Sequence, residues 1–365
     1  MIAFSGIKAA TACARPSGLQ APEGASGRGP GSGIATAGAQ LPVSRTAALC
    51  PVSVTGGQFN FVGVPYVQDA AAAGAVAAVS GTTVTADALA AGDYLTQPHS
   101  LRVLNGEAAG QTRKVVAVSG NDITVTSPFV GLESGGVAEF ILFAHPTLAS
   151  VFGGSNAEVE GKGLLTTNAS GTADVVYILS GGAFTPYFFR EKLVFEPASA
   201  EGWRNATAGA AGDPDEGGAA IEPGSAVLVE KRGAGVSTLS VSGIVNSTKA
   251  GATISEGFSA VTQPFAEETT LDGSGLADLL NIANSSGSSD LVYLMDGTGN
   301  FIPYFFREKL VFEPASAEGW RLATAGGAGD PDEGGTVIPK GAGILIQRLG
   351  GTGSVEWLVS EDFGS

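Results

Sequence analysis

The sequence contains one long block twice. Residues 186–218 reappear at 303–335 with 31 of 33 positions identical. A catalytic site normally occurs once in a chain, whereas a packing unit or a multivalent binding unit gains from repetition. The duplication therefore favours architecture or repeated binding over chemistry. The two differing positions are Asn205 against Leu322 and Ala210 against Gly327.

The composition is typical of a turn-rich β protein. Among 365 residues, 55 are glycine and only 15% are charged. Short runs rich in Val, Thr and Phe are bounded by Gly, Ser and Pro, which favours strands joined by tight turns over amphipathic helices. We expect an all-β fold with short helical turns.

The predicted N-terminal module is a small β barrel or sandwich. Two similar segments, 76–85 and 115–124, each run through apolar residues into Ser-Gly and then resume alternation, as a hairpin with glycine in its turn does. Residues 1–50 have no hydrophobic period, so we predict a disordered or non-native tract. The predicted layout is this tract at 1–50, the β module at 51–144, a first repeat at 145–245, a connecting segment at 246–265 and a second repeat at 266–365.

The repeats extend beyond the identical block. Residues 174–179 match 290–295, but the turn that follows is one residue longer in the second copy. A hairpin turn tolerates such an insertion, so each repeat is predicted to be β-sandwich-like. Thr147 is a suitable N-cap for a short helix at the start of the first repeat.

The repeated aromatic and arginine residues are the first candidate binding site. Aromatic faces and planar guanidinium groups can bind a sugar ring, but the same side chains also fill sandwich cores, and burial statistics favour the core. The candidate residues are Tyr187, Arg190, Trp203, Arg204 and their copies Tyr304, Arg307, Trp320 and Arg321.

The repeated acidic turn is a weaker candidate, for calcium. It offers hard oxygen ligands, but it lacks the spacing of an EF-hand loop, and Asp, Pro and Gly are the ordinary residues of turns. No other cofactor is predicted. The candidate ligands are Asp213, Asp215, Glu216, Asp330, Asp332 and Glu333.

No recognisable catalytic motif occurs. The two histidines, His99 and His145, lack a nucleophile elbow or a metal-binding motif around them, and a structural role is favoured for His145. The carboxylates of Glu191, Glu196 and Glu201 leave a glycosidase pair open on spacing alone, but such a site would be duplicated. We predict that the protein is not an enzyme, with a hydrolase as the third alternative. The two cysteines, Cys13 and Cys50, have no spacing suited to a metal site.

The net charge limits the partners. Nineteen basic and 35 acidic residues give −16, which repels phosphate backbones, so nucleic acid is not an expected partner. No apolar run reaches the roughly 18 residues of a membrane helix. The expected partners are other copies of the chain, other surface proteins or glycans.

Six segments along the chain carry a family resemblance: 61–67, 118–125, 147–153, 290–294, 319–321 and 338–346. They resemble an uncharacterised paralogous family of predicted exported, β-rich proteins from verrucomicrobial bacteria. The resemblance covers about residue 51 to the end and implies export and an extracellular or cell-surface location, although no clear signal peptide is visible. The leading hypothesis is a structural or adhesive component of an envelope layer, filament or matrix, and the alternative is a carbohydrate-binding protein.

Overall fold

The protein is nearly all β. A computed structural model describes residues 47–65, 67–134, 138–208, 210–244, 249–265, 267–325, 327–350 and 353–359. Strands account for 44% and helices for 8%. The prediction of an all-β protein with short helical turns is therefore confirmed.

A closed six-stranded barrel follows the first two strands of the described chain. These strands are β1 (Ala47–Thr55) and β2 (Gln58–Gly63), and they belong to different sheets. The barrel closes in the order β3-β4-β7-β6-β5-β8, which is the barrel form of the predicted N-terminal module. The predicted Ser-Gly hairpins are β3–β4 and β6–β7, whose turns hold Gly81 and Gly120 at positive φ. The barrel strands are β3 (Ala70–Ser80), β4 (Thr83–Ala86), β5 (His99–Val103), β6 (Thr112–Ser119), β7 (Asp122–Val125) and β8 (Glu139–Ala144).

The first repeat is a sandwich of two antiparallel sheets. Thr147 caps α1 as predicted, because its hydroxyl accepts the Ser150 N–H at 3.2 Å. One sheet has the order β11-β10-β9-β12-β2, and the other pairs β1 with β13. Between them lies an apolar core that contains Val176, Phe189 and Leu239. The elements are α1 (Leu148–Phe152), α2 (Asn156–Gly161), β9 (Val175–Ser180), β10 (Ala183–Arg190), β11 (Gly202–Asn205), β12 (Ala226–Lys231) and β13 (Val236–Ile244).

The second repeat has the same topology without the barrel. Its five-stranded sheet has the order β15-β21-β17-β18-β19, and its second sheet pairs β14 with β22. Two 3₁₀ turns, Asp272–Ser274 and Leu276–Asp278, stand where the first repeat has its helices. The strands are β14 (Ala250–Ile254), β15 (Gly257–Thr262), β16 (Thr269–Thr270), β17 (Leu291–Met295), β18 (Phe301–Arg307), β19 (Gly319–Leu322), β20 (Val337–Ile338), β21 (Gly343–Arg348) and β22 (Val355–Val359).

The strand pairing moves three predicted domain boundaries. Both β1 and β2 belong to the first repeat, since β1 pairs with β13 and β2 with β12, so the barrel is an insertion into that repeat. The predicted connecting segment at 246–265 contains β14 and β15, which are integral strands of the second repeat. Residues 47–50 of the predicted disordered tract lie in β1, and the rest of that tract lies outside the described residues. These pairings join residues far apart in sequence, which local patterns do not reveal.

The two repeats pack on each other through a pseudo-twofold axis. Val62 bridges Ala342, and the counterparts of these residues, Ser225 and Val261, form the reciprocal bridge. An isologous contact of this kind is what a symmetric dimer uses. The apolar side chains between the two five-stranded sheets, here called the inter-sheet cluster, are Phe61, Tyr177, Leu179, Phe184, Ala226, Leu228 and, from the second repeat, Ala260, Tyr293, Met295, Phe301 and Leu345.

Candidate functional site

The predicted aromatic binding residues lie in the core of each repeat. Trp203 and Trp320 are 1% and 0% exposed, and each packs edge-on against a neighbouring phenyl ring at a centroid distance of 5.6 Å. Tyr304 is also buried, and Tyr187 packs against the first-repeat core. A sugar ring cannot stack on the buried rings of Trp203, Trp320 and Tyr304 in the folded protein, and Tyr187 alone is partly exposed.

The two tryptophans of the identical block have different surroundings. The Trp203 indole N–H donates to the Gly153 carbonyl at the end of α1, at 2.8 Å. The buried Trp320 indole N–H has no acceptor among the described residues, because 3₁₀ turns replace the helices there. The two blocks therefore have nearly identical sequences but different packing around their tryptophans.

We expect Trp203→Phe to destabilise the protein more than Trp320→Phe. Both changes remove the same volume, but only the first breaks a buried hydrogen bond and leaves the Gly153 carbonyl without its donor. The difference in the free energy of unfolding should be about 1–3 kcal/mol. Urea denaturation of the two variants measures it, each serving as the control for the other. Equal losses would show that the Trp203 hydrogen bond contributes nothing.

The four candidate arginines hold two loops in place, one in each repeat. Arg190 binds both carboxylate oxygens of Glu196 at 2.9 and 2.8 Å, and it donates to the Ala200 carbonyl at 3.1 Å. Glu196 also accepts the Leu193 N–H at 2.7 Å. The hydrogen bond from Arg190 is the main reason that the pKa of Glu196 is lowered. Arg204, which is fully buried, donates to the Ser199 carbonyl at 2.7 Å. The same contacts recur among Arg307, Glu313, Ala317, Leu310, Arg321 and Ser316.

These contacts rigidify two loops, 191–201 and 308–318, here called the tip loops. The Glu196 N–H donates to the Leu193 carbonyl at 3.0 Å and closes a turn. Val194 and Phe195 occupy the middle of that turn and are 101% and 85% exposed. Val311 and Phe312 are 104% and 85% exposed in the second copy. Each identical block thus presents one apolar pair to solvent on a braced turn.

The predicted calcium ligands are occupied by their own turns. Asp213 accepts the Ala210 N–H at 2.6 Å, and Asp215 accepts the N–H groups of Trp203 and Gly217 at 2.9 and 3.0 Å. Asp330 accepts the Gly327 N–H at 2.6 Å and Asp332 accepts the Gly334 N–H at 3.1 Å, and Asp332 also lies 3.3 Å from Arg321. Glu216 and Glu333 follow in the same two turns. No three His, Cys, Asp or Glu side chains converge anywhere in the described ranges. The weaker candidate, calcium binding by these turns, therefore gains no support from the positions of the carboxylates.

His145 and Ser100 form a side-chain contact that resembles part of a catalytic dyad. The His145 Nε2 lies 2.8 Å from the Ser100 Oγ, and both residues are 2% exposed. Burial, followed by the charge of Lys114, lowers the pKa of His145 to about 4. Such an imidazole is neutral at pH 7 but is a weak general base, since an efficient base has a pKa near the operating pH. His99 packs edge-on against Tyr94.

The carboxylates considered for glycoside hydrolysis do not form a pair. Glu196 is bound to Arg190, and Glu201 accepts the Asn156 N–H at 3.1 Å at the start of α2. Glu191 is exposed next to the tip. Each carboxylate therefore has a separate environment, and the hydrolase alternative gains no support from them.

Comparisons with protein families, with curated proteins and with solved structures gave no match for this chain. In the described part of the chain, no helix is long and apolar enough to cross a bilayer.

Sequence reasoning missed the tip residues themselves. Leu193-Val194-Phe195 reads as the continuation of an aromatic strand, and alternating burial would place one of them in the core. The sequence signal for an exposed turn was the residues on either side, Lys192 before and Glu196-Pro197 after, since proline commonly ends a strand.

Proposed function

We propose that the protein is a non-enzymatic structural or adhesive component of a cell surface or extracellular layer, and that it makes bivalent contacts through its two tip loops. The observation that carries the proposal is the pair of exposed Val-Phe turns, each braced by a buried arginine. The resemblance described above supports an exported location.

The exposed apolar pairs favour contact with an apolar partner surface. Burying a side chain such as Val or Phe contributes about 1.5–3 kcal/mol, and nothing in the described chain covers these four. Two weak contacts on one rigid body act together, and the second forms at a high effective concentration. The net charge of −16 disfavours non-specific adsorption to anionic surfaces, so the tips rather than the bulk surface would select the partner.

Fractionation of producing cells tests this proposal. The wild-type protein should stay with the envelope or extracellular layer, where added protease can reach it. Phe195→Ser or Phe312→Ser should weaken retention partially, and the double variant should weaken it by about a hundredfold because the avidity is lost.

The control for the fractionation is Val337→Ser, which changes a half-exposed apolar residue outside the tip loops. Exposed substitutions of this kind usually change stability by less than about 0.5 kcal/mol, so all variants should fold. Recovery of the wild type only from soluble cytoplasm, or unchanged retention of the double variant, would contradict the proposal.

The alternative, a carbohydrate-binding protein that uses the duplicated aromatic and arginine residues, loses most of its binding surface because all of those side chains except Tyr187 are buried. We do not propose it for those residues.

A further inference from the structure

A polar pocket of about 500 Å³ lies where the barrel and the two repeats meet. Pockets that bind small molecules typically measure about 300–1,000 Å³. One wall comes from β5, β6 and the end of β7, a second from the β9–β10 turn, and a third from β14 and β15. Three modules that are far apart in sequence therefore contribute to one cavity.

The two repeats differ at the turn that forms the second wall of the pocket. In the second repeat, the longer turn at 296–300 closes on β2: Gln58 donates to the Gly297 carbonyl at 3.3 Å, and a Cβ on Gly299 would meet the Phe59 backbone at 2.9 Å. In the first repeat, the shorter turn has Gly181 and Gly182, and a Cβ on either would meet nothing within 4 Å. The shorter turn of the first repeat thus leaves a space open, whereas the longer turn of the second repeat fills the equivalent space across the pseudo-twofold axis.

The lining offers both hydrogen-bond donors and acceptors. Lys114, Glu222 and Glu256 line the pocket, and none of them forms a side-chain hydrogen bond or ion pair with a residue that the structure describes. Arg113, by contrast, is held by Glu356 at 2.8 Å. The pocket also has hydroxyl groups without a side-chain hydrogen bond to described residues, which belong to Thr126, Ser127, Ser180 and Ser255.

An aromatic ring completes the lining. Phe258 is 39% exposed at the pocket and is steadied by Tyr293, with ring centroids 6.4 Å apart. Its exposed surface can pack against the C–H face of a ring, while the surrounding polar groups bind hydroxyls.

These groups discriminate between ligand classes. Two carboxylates against one ammonium group disfavour an anion, and the absence of three converging ligands among the described residues gives a metal ion no site. A wholly apolar ligand would leave the polar lining without partners. Sugar hydroxyls both donate and accept, so they match the ammonium group of Lys114 and the carboxylates of the two glutamates.

We propose that this junction pocket binds a neutral saccharide of one or two rings, with Phe258 against the sugar face and Lys114, Glu222 and Glu256 on its hydroxyls. The site is distinct from the duplicated aromatic residues and independent of the tip loops.

Calorimetric titration of the full chain with cellobiose and with maltose, using gluconate as the anionic comparison, tests the proposal. At least one of the two neutral sugars should bind with a Kd between about 1 µM and 1 mM, and gluconate should bind more weakly. Phe258→Ala should weaken binding about tenfold through the lost ring contact. The matched control is Phe59→Ala, which removes the pseudo-symmetric ring of equal exposure outside the pocket and should leave the affinity unchanged.

A second variant closes the pocket without touching its polar groups on the other walls. Replacing residues 180–183 by the five-residue turn Asp-Gly-Thr-Gly-Asn of the second repeat should abolish binding while near-UV circular dichroism stays native, because that turn already folds in this topology. Absence of binding of both neutral sugars, equal losses from Phe258→Ala and Phe59→Ala, or full binding to the grafted variant would overturn the proposal. None of these outcomes bears on the envelope retention of the tip variants.

Discussion

Replacing Asp174 by alanine is expected to lower the free energy of unfolding by about 3–5 kcal/mol, since it removes one partner of a buried charge. Asp174 is 3% exposed, and its carboxylate accepts the N–H groups of Leu165 at 2.8 Å and of Arg232 at 2.7 Å. It also lies 3.5 Å from the ammonium group of Lys231, which is itself buried. Three chain segments are joined by this one side chain, and its loss leaves Lys231 without a counter-charge.

The second repeat provides the matched case. Asp290 is 1% exposed, accepts the N–H groups of Asn281 at 2.9 Å and Leu349 at 2.7 Å, and lies 3.7 Å from Arg348. Asp290→Ala should therefore cost about as much as Asp174→Ala.

Urea denaturation measures both losses, and Asp69→Ala, which removes an exposed carboxylate, should change stability by less than about 0.5 kcal/mol. If both variants of the buried aspartates lost less than about 1 kcal/mol of unfolding free energy, the role of these carboxylates as buried charge partners would be contradicted.

Local patterns predicted the features that depend on local physics. The glycine turns of the barrel hairpins and the Thr147 cap depend on backbone conformation and short-range hydrogen bonds. The one-residue difference between the β9–β10 and β17–β18 turns is visible from the alignment of the two repeats. The turns and the cap could each be read from a window of about ten residues, which is the range over which turn and cap preferences operate.

Pairing across long sequence separations could not be read in the same way. Nothing in the sequence of β1 specifies β13 as its partner, because many alternating segments offer the same apolar face. The barrel therefore looked like an N-terminal module, although it is inserted between two strands of the first repeat.

Burial statistics favoured the core for the repeated aromatic residues, but the sequence did not show how the arginines beside them could be buried as well. A guanidinium group is almost always charged, and a buried charge is costly unless it is paired, so each arginine needs partners that local patterns do not reveal. Arg190 and Arg204 are buried because the loop that follows β10 supplies a carboxylate and several carbonyl groups to them. The side chains left exposed were the apolar ones between them.

The contact between the repeats gives the second large expected effect. Leu228 is 8% exposed in the inter-sheet cluster, and Leu228→Asp would place an unpaired carboxylate between the two five-stranded sheets. Such a buried charge costs about 3–5 kcal/mol. Each repeat keeps its own core, one around Leu239 and the other around Ile344, so we expect the repeats to separate rather than unfold.

Differential scanning calorimetry of Leu228→Asp should accordingly show two resolved transitions, whereas the wild type should unfold in one coupled transition. Leu345→Asp, the pseudo-symmetric change, should behave alike, and Leu228→Met should cost less than about 1.5 kcal/mol because it conserves volume. A single transition at the wild-type temperature would contradict a stabilising interface. Because the interface fixes the distance between the tip loops, separated repeats should also lose the avidity of the two Val-Phe turns while each turn stays intact.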